Sequence, residues 1–180
     1  MLEIEIPRTE IWDNENEMFS YVDSCKLVLE HSLISISKWE SKWNKPFLTR
    51  DEKTPEEMID YVKCMIVNHA DPVVCNCLTT DNYKQINDYI AAPMTATTFR
   101  ENGGTPRGNR EIMTAEVIYF YMISFGIPFE CEKWHINRLL TLIRVCSIKN
   151  APSKKMSKSA AAKQQRALNA QRRAKAHSKG

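Results

Sequence analysis

The sequence predicts an α+β fold, mainly α: a small N-terminal β-hairpin or sheet, then four or five packed helices, then a basic tail that is either flexible or helical. Three observations lead there. Residues 2–6, LEIEI, alternate apolar and acidic with the two-residue period of a half-buried strand. Between His31 and Ile148 the apolar residues recur instead at three- and four-residue spacing, the period of helices that bury one face. Beyond Pro152 large apolar residues nearly vanish while lysine and arginine accumulate.

Pro7 ends the first strand. Lys26–Glu30, KLVLE, is a second short strand-like run, with weaker ones around Trp12 and at Phe19–Val22. They pair in a small antiparallel sheet, since a lone strand leaves its backbone groups unpaired. From His31 the period changes: Leu33, Ile34, Ile36, Trp39 and Trp43 form a helical stripe that Pro46 stops. Thr54-Pro55-Glu56-Glu57 starts the next helix, because Thr54 can cap, Pro55 suits the first turn and Glu57 can close a capping box. Its stripe runs through Met58, Ile59, Val62, Met65 and Ile66 to a stop at Asp71-Pro72. A third helix follows Thr80, over Asp81–Ile90, and ends before Pro93. Residues 94–109 hold three of the five glycines and read as a loop or mobile hairpin, with Met94–Phe99 as a short strand. Asn109 caps a helix from Arg110 to about Ser124, and Gly126 stands where a left-handed C-terminal residue is needed. The last body helix spans about Glu130 to Ile148 with apolar residues on most faces, so it is central to the core or completed by a partner.

Charge divides the chain at the same place. Nine of the 25 Lys and Arg lie beyond Asn150, as do none of the 22 Asp and Glu, so residues 1–150 hold sixteen bases and a net charge of −6. Residues 1–150 are thus read as an acidic, mainly helical globular domain, and 151–180 as a basic tail, disordered or a solvated helix. MLEIEIPRTE has no basic start or apolar run, and no stretch reaches the roughly 20 apolar residues of a membrane span. A cytoplasmic location, no membrane partner and reduced cysteines follow as expectations.

Tests for chemistry return little. Cys75-x-Cys77 falls outside the usual zinc-knuckle spacing, and Cys131 with His135 would supply half a site from one helix face. No nucleophile elbow or phosphate-binding loop is present, so the expectation is no catalytic residue, no metal and no cofactor. The aromatics carry more. Trp39, Trp43 and Trp134, with Leu139 and Ile143, serve either the core or a partner interface, and Lys38, Lys42 and Lys45 give the first two a basic rim. In the tail, Lys154, Lys155, Lys158, Lys163, Arg166, Arg172, Arg173 and Lys175 are the candidate contacts. They suit nucleic-acid phosphates, an acidic protein surface including a second copy of this chain, or simply solvent. No aromatic interleaves them, which argues against stacking on single-stranded bases.

At Lys26–Trp43, KLVLEHSLISISKWESKW, at Trp134–Asn150, WHINRLLTLIRVCSIKN, and at the KKMSK leading into the tail, the chain resembles tailed-phage proteins encoded near the tape measure gene, the tail assembly chaperones. The resemblance covers most of the chain and includes no catalytic or binding motif. It implies a non-enzymatic helper in the host cytoplasm that keeps apolar-striped tape measure helices soluble and brings tail tube proteins to them. It also implies short N-terminal strands, a helical body and a loose C-terminal extension. The alternatives are a nucleic-acid-associated protein acting through the tail and a minor structural component of the virion.

Overall fold

A computed structural model describes residues 1–13, 18–99, 111–151 and 158–175. The fold is α+β and mainly helical. By contact the chain divides into two units, Met1–Ser147 and Ile148–Gly180.

The first unit begins with four strands, β1 (Leu2–Ile6), β2 (Thr9–Asp13), β3 (Met18–Val22) and β4 (Cys25–Leu29). β1 pairs antiparallel with β4, Leu2 opposite Leu29 to Ile6 opposite Cys25. β2 pairs with β3, Thr9 opposite Val22 to Asp13 opposite Met18. One register runs through both pairs, so the four strands follow one hairpin path that is interrupted at Pro7, which has no N–H to give, and at residues 23–24 of the opposite arm. Period-two alternation decides its inner half: Ile4, Ile6, Leu27 and Leu29 are buried while Glu3 and Glu5 face out. The edge of β4 is covered. Val67 N–H donates to Val28 O at 2.9 Å, Glu30 N–H to Met65 O at 2.9 Å, and the Asn68 side chain bonds Val28 N and Lys26 O.

Helix α1 (Leu33–Trp43) starts at a Ser32 cap and ends at Asn44, whose φ of 53° is the left-handed turn that stops the helix two residues before Pro46. α2 (Pro55–Cys64) has the expected reciprocal capping box between Thr54 and Glu57. It stops well short of Asp71, because residues 65–67 leave the helix to bond β4. A 3₁₀ turn at Pro72–Cys77 leads to α3 (Thr80–Ala91). Its cap is Thr79, and Thr80 is the first helical residue: Thr79 Oγ1 accepts from Asn82 N, and the Asn82 side chain accepts from Thr79 N. Met94–Phe99 forms no strand, and no described residue pairs with it.

α4 (Ala115–Ser124) begins at Thr114, five residues after the expected cap Asn109, which with Arg110 lies outside the described residues. Gly126 takes the predicted left-handed turn at φ 63°. The long final helix is divided. A 3₁₀ helix at Phe129–Lys133 precedes α5 (Ile136–Asn150), because the chain bends at 134–135 to let Ile136 N–H donate to His31 O at 2.7 Å. Leu33, Ile36, Trp39, Tyr61, Ile118, Met122, Ile136 and Leu139 make the core between these elements, each worth about 1.5–3 kcal/mol of burial.

The second unit contains α6 (Lys158–Lys175), the helical one of the two forms expected for the tail. Residues 162–175 are exposed along its length. Among the described residues no helix is long and apolar enough to cross a membrane.

Candidate functional site

The three tryptophans go to structural work. Trp39 is 1% exposed, and its indole N–H donates to Glu57 O at 2.8 Å. Trp43 stacks on it at 6.2 Å and donates to Asp60 Oδ2 at 2.9 Å. The two rings thereby fasten α1 to α2. Two cations of their basic rim serve the same joint, Lys42 paired with Asp60 and Lys45 with Glu57, while Lys38 is exposed. Trp134 is half-buried under the Arg138 guanidinium, 4.0 Å above its ring. Leu139 and Ile143 are core residues. As partner contacts, Trp39, Leu139 and Ile143 are corrected: burial leaves them no surface to offer. The tail cations divide similarly. Lys163, Arg166, Arg172, Arg173 and Lys175 are exposed on α6, Lys158 begins that helix, and Lys154 and Lys155 lie outside the described residues.

Two histidines that are 104 positions apart in sequence meet inside the body, which no spacing signal could reveal. The His31 and His135 rings lie 5.0 Å apart, edge to face. His31 Nδ1 pairs with Tyr61 Oη at 2.5 Å. His135 Nε2–H donates to Tyr89 O at 3.0 Å while its Nδ1 accepts from Asn137 N at 3.3 Å, so the neutral ring is satisfied on both sides. Tyr89 Oη donates to the buried Glu30 carboxylate at 2.7 Å. Burial, then the neighbouring His135, depresses His31 to about 3, and burial lowers His135 as well. With 2% and 6% exposure, the pair is a buried polar joint between β4, α3 and α5 rather than an open acid–base centre. Cys131 and His135 do not share a helix face, because the chain bends between them. All six cysteines are free, and burial pushes the Cys64, Cys75 and Cys131 thiols up. Among the described residues no three His, Cys, Asp or Glu side chains are placed to hold a metal ion.

The uncovered feature is α4. Its sequence, AEVIYFYMIS, is apolar on nearly every side, a composition suited to a helix buried all round. Yet one side alone is covered. Ala115, Ile118 and Met122 enter the core at i, i+3 and i+7, while Phe120 and Ile123 on the opposite side are 63% and 66% exposed. Phe129, 55% exposed, lies with its ring 6.3 Å from that of Tyr119 on α4. Tyr121 extends the band on the other flank, with rings 5.7 Å from Phe120 and 6.1 Å from Phe125.

This band is held from within. The buried Glu40 accepts from Ala115 N at 2.7 Å through one oxygen and from Phe47 N at 2.7 Å through the other, fixing the start of α4 against the end of α1. Tyr119 Oη donates to Glu132 at 2.8 Å and Tyr121 Oη to Glu111 at 2.9 Å. Burial and the Glu132 carboxylate push the Tyr119 phenol up to about 12, so it stays a donor. The start of α4 and the two tyrosines that flank its exposed side are thus held by contacts within the chain. A second exposed aromatic cluster lies on the outer half of the hairpin, where Trp12 and Phe19 pair at 4.9 Å beside Tyr21. The signal for α4 was present in sequence: Glu116 and Ser124 interrupt one side of an otherwise apolar helix. Comparison with family models, curated proteins and solved structures finds no match for this chain.

Proposed function

We propose that the protein is a non-enzymatic assembly chaperone that binds helices of a client through the uncovered face of α4. The observation that carries this is an exposed apolar surface, Phe120 and Ile123 on a helix apolar enough for full burial, with Phe129 exposed just beyond it. Contiguous exposed apolar surface of this kind marks a protein contact. With the resemblance at Lys26–Trp43 and Trp134–Asn150, the reading becomes a tail assembly chaperone of a tailed phage, acting in the host cytoplasm on tape measure helices and assisting tail tube assembly. The test is co-expression with a tape measure fragment that precipitates when made alone. The expected outcome is transfer of the fragment to the soluble fraction, lost with Phe120→Ser and Ile123→Ser together. Absence of this chain from purified particles belongs to the same expectation. A client that stays insoluble, or a chain present stoichiometrically in particles, refutes it.

A second reading, nucleic-acid association through the tail, is favoured by the exposed cations along α6. It predicts a duplex shift that weakens steeply with salt and vanishes when residues 152–180 are removed.

A further inference from the structure

Resting on the reading of α4 as a client-binding face, the charge around that face points to the chemistry of the client. We propose that it takes an α-helix whose apolar stripe is flanked by lysine and arginine. Glu116 stands on the exposed stripe itself, one turn before Phe120 and two before Ile123. Glu111 and Glu132 stand on the two flanks, fixed there by Tyr121 and Tyr119, and each carboxylate has capacity to accept further donors. Glu130 adds an exposed carboxylate beside Phe129, against the single cation Lys133 on that turn. The wider field agrees, because residues 1–150 carry a net charge of −6.

The same carboxylates argue against the α4 of a second copy as occupant. Two α4 faces packed on each other would gather two sets of Glu111, Glu116 and Glu132 around one contact, a like-charge rim that disfavours it. The shape argues for a helix. The bare residues form a ridge along α4 at i, i+4 and i+7, which fits between the side-chain rows of another helix. Apolar residues of the client would cover Phe120 and Ile123, and its cations would reach the carboxylates at the rim. Such an arrangement selects helices by charge while the aromatics hold them.

The experiment uses the full chain and three fluorescent helical peptides, read by anisotropy at low and moderate salt. The first has a leucine stripe with lysine flanks, the second the same stripe with glutamate flanks, and the third the lysines with the stripe scrambled. The lysine-flanked peptide is expected to bind at least about tenfold tighter than either other, a preference that shrinks as salt rises. Phe120→Ser with Ile123→Ser should weaken it about tenfold, and Glu116→Lys should narrow its advantage over the glutamate peptide. Circular dichroism melts check that the variants fold. If the double variant does not, Glu116→Lys carries the test alone. Equal, Phe120-dependent binding of the lysine and glutamate peptides overturns the charge selection and leaves the client-binding reading intact. Equal binding of the scrambled peptide overturns the role of the apolar ridge. No peptide binding, together with self-association that Phe120→Ser abolishes, makes a second copy the occupant and overturns the proposal. Failure of the client-binding reading itself is read separately, in the co-expression experiment.

Discussion

His31 shows at a single residue how burial becomes a pH dependence. Its ring is 2% exposed and depressed to about 3 by burial and by His135 beside it, whereas an unfolded chain titrates it near 6.5. Between those values the unfolded state takes up a proton that the folded state refuses. The stability it contributes is therefore fully present above about pH 6.5 and falls by up to about 1.4 kcal/mol per pH unit as the medium is acidified toward 3. His135, lowered by its own burial, steepens the same slope. Urea midpoints measured from pH 7.5 to 4.5 should fall in that direction, and His31→Gln should flatten the curve even though it is less stable at neutral pH. Glu40 makes a different kind of residue-scale claim. Its two oxygens hold two buried backbone N–H groups from segments 68 residues apart, Phe47 and Ala115. Glu40→Ala leaves both without an acceptor and should cost about 3 kcal/mol, whereas Glu40→Gln keeps one acceptor and should cost about half as much. Urea denaturation at pH 7 measures both.

At the scale of the element, α4 has two sides of similar composition and opposite consequence. Ile118 is fully buried and Phe120 is 63% exposed, although they are two residues apart. Ile118→Ala should lower stability by about 2–4 kcal/mol through the cavity it leaves, while Phe120→Ser should change it by less than about 0.5 kcal/mol. Equilibrium unfolding separates the two, and a large loss for Phe120→Ser would mean that its ring is covered. The sequence foretold the elements whose cause is local. The alternation of LEIEI, the Thr54–Glu57 box and the left-handed Gly126 each depend on neighbours a few residues away, and each stands where expected. What escaped was tertiary. The start of α4 is set by Thr114 and by Glu40, 75 residues upstream, and residues 65–67 exchange helix for a place beside β4. The choice between core and surface escaped for the same reason. Trp39 and Leu139 are as apolar as Phe120 and Ile123, and hydropathy does not say which side of a helix another element will cover. Glu116 and Ser124 were the local clues, polar residues on the side that remains bare.

For the whole molecule, the net charge of +3 is a balance between two units of opposite sign. All nine tail cations lie beyond Pro152, and the described side chains of α6 from residue 162 onward are exposed. Placing α6 at 3.6 residues per turn puts Gln164, Ala167, Gln171 and Ala174 on one side with Lys163, Leu168 and Lys175 at its margins, and Arg166 and Arg173 on the other. A helix this poor in large apolar residues gains little from burial, and alone in water it is marginally stable despite its alanines. Removing residues 152–180 should therefore leave the cooperative melt of the body within about 2 °C of the full chain. The same deletion turns the charge from +3 to −6. The full chain should be retained on a heparin column at neutral pH and released by salt, while the truncated chain flows through at the same melting temperature. A truncated chain that melts markedly earlier would show that the tail contributes packing to the body, and the division into a folded acidic domain and a separable cationic arm would fail. If the arm engages duplex phosphates, log K should fall against log salt with a slope of about −0.9 for each phosphate contacted. A binding slope near zero that also survives truncation would leave the α4 face as the contact the molecule depends on.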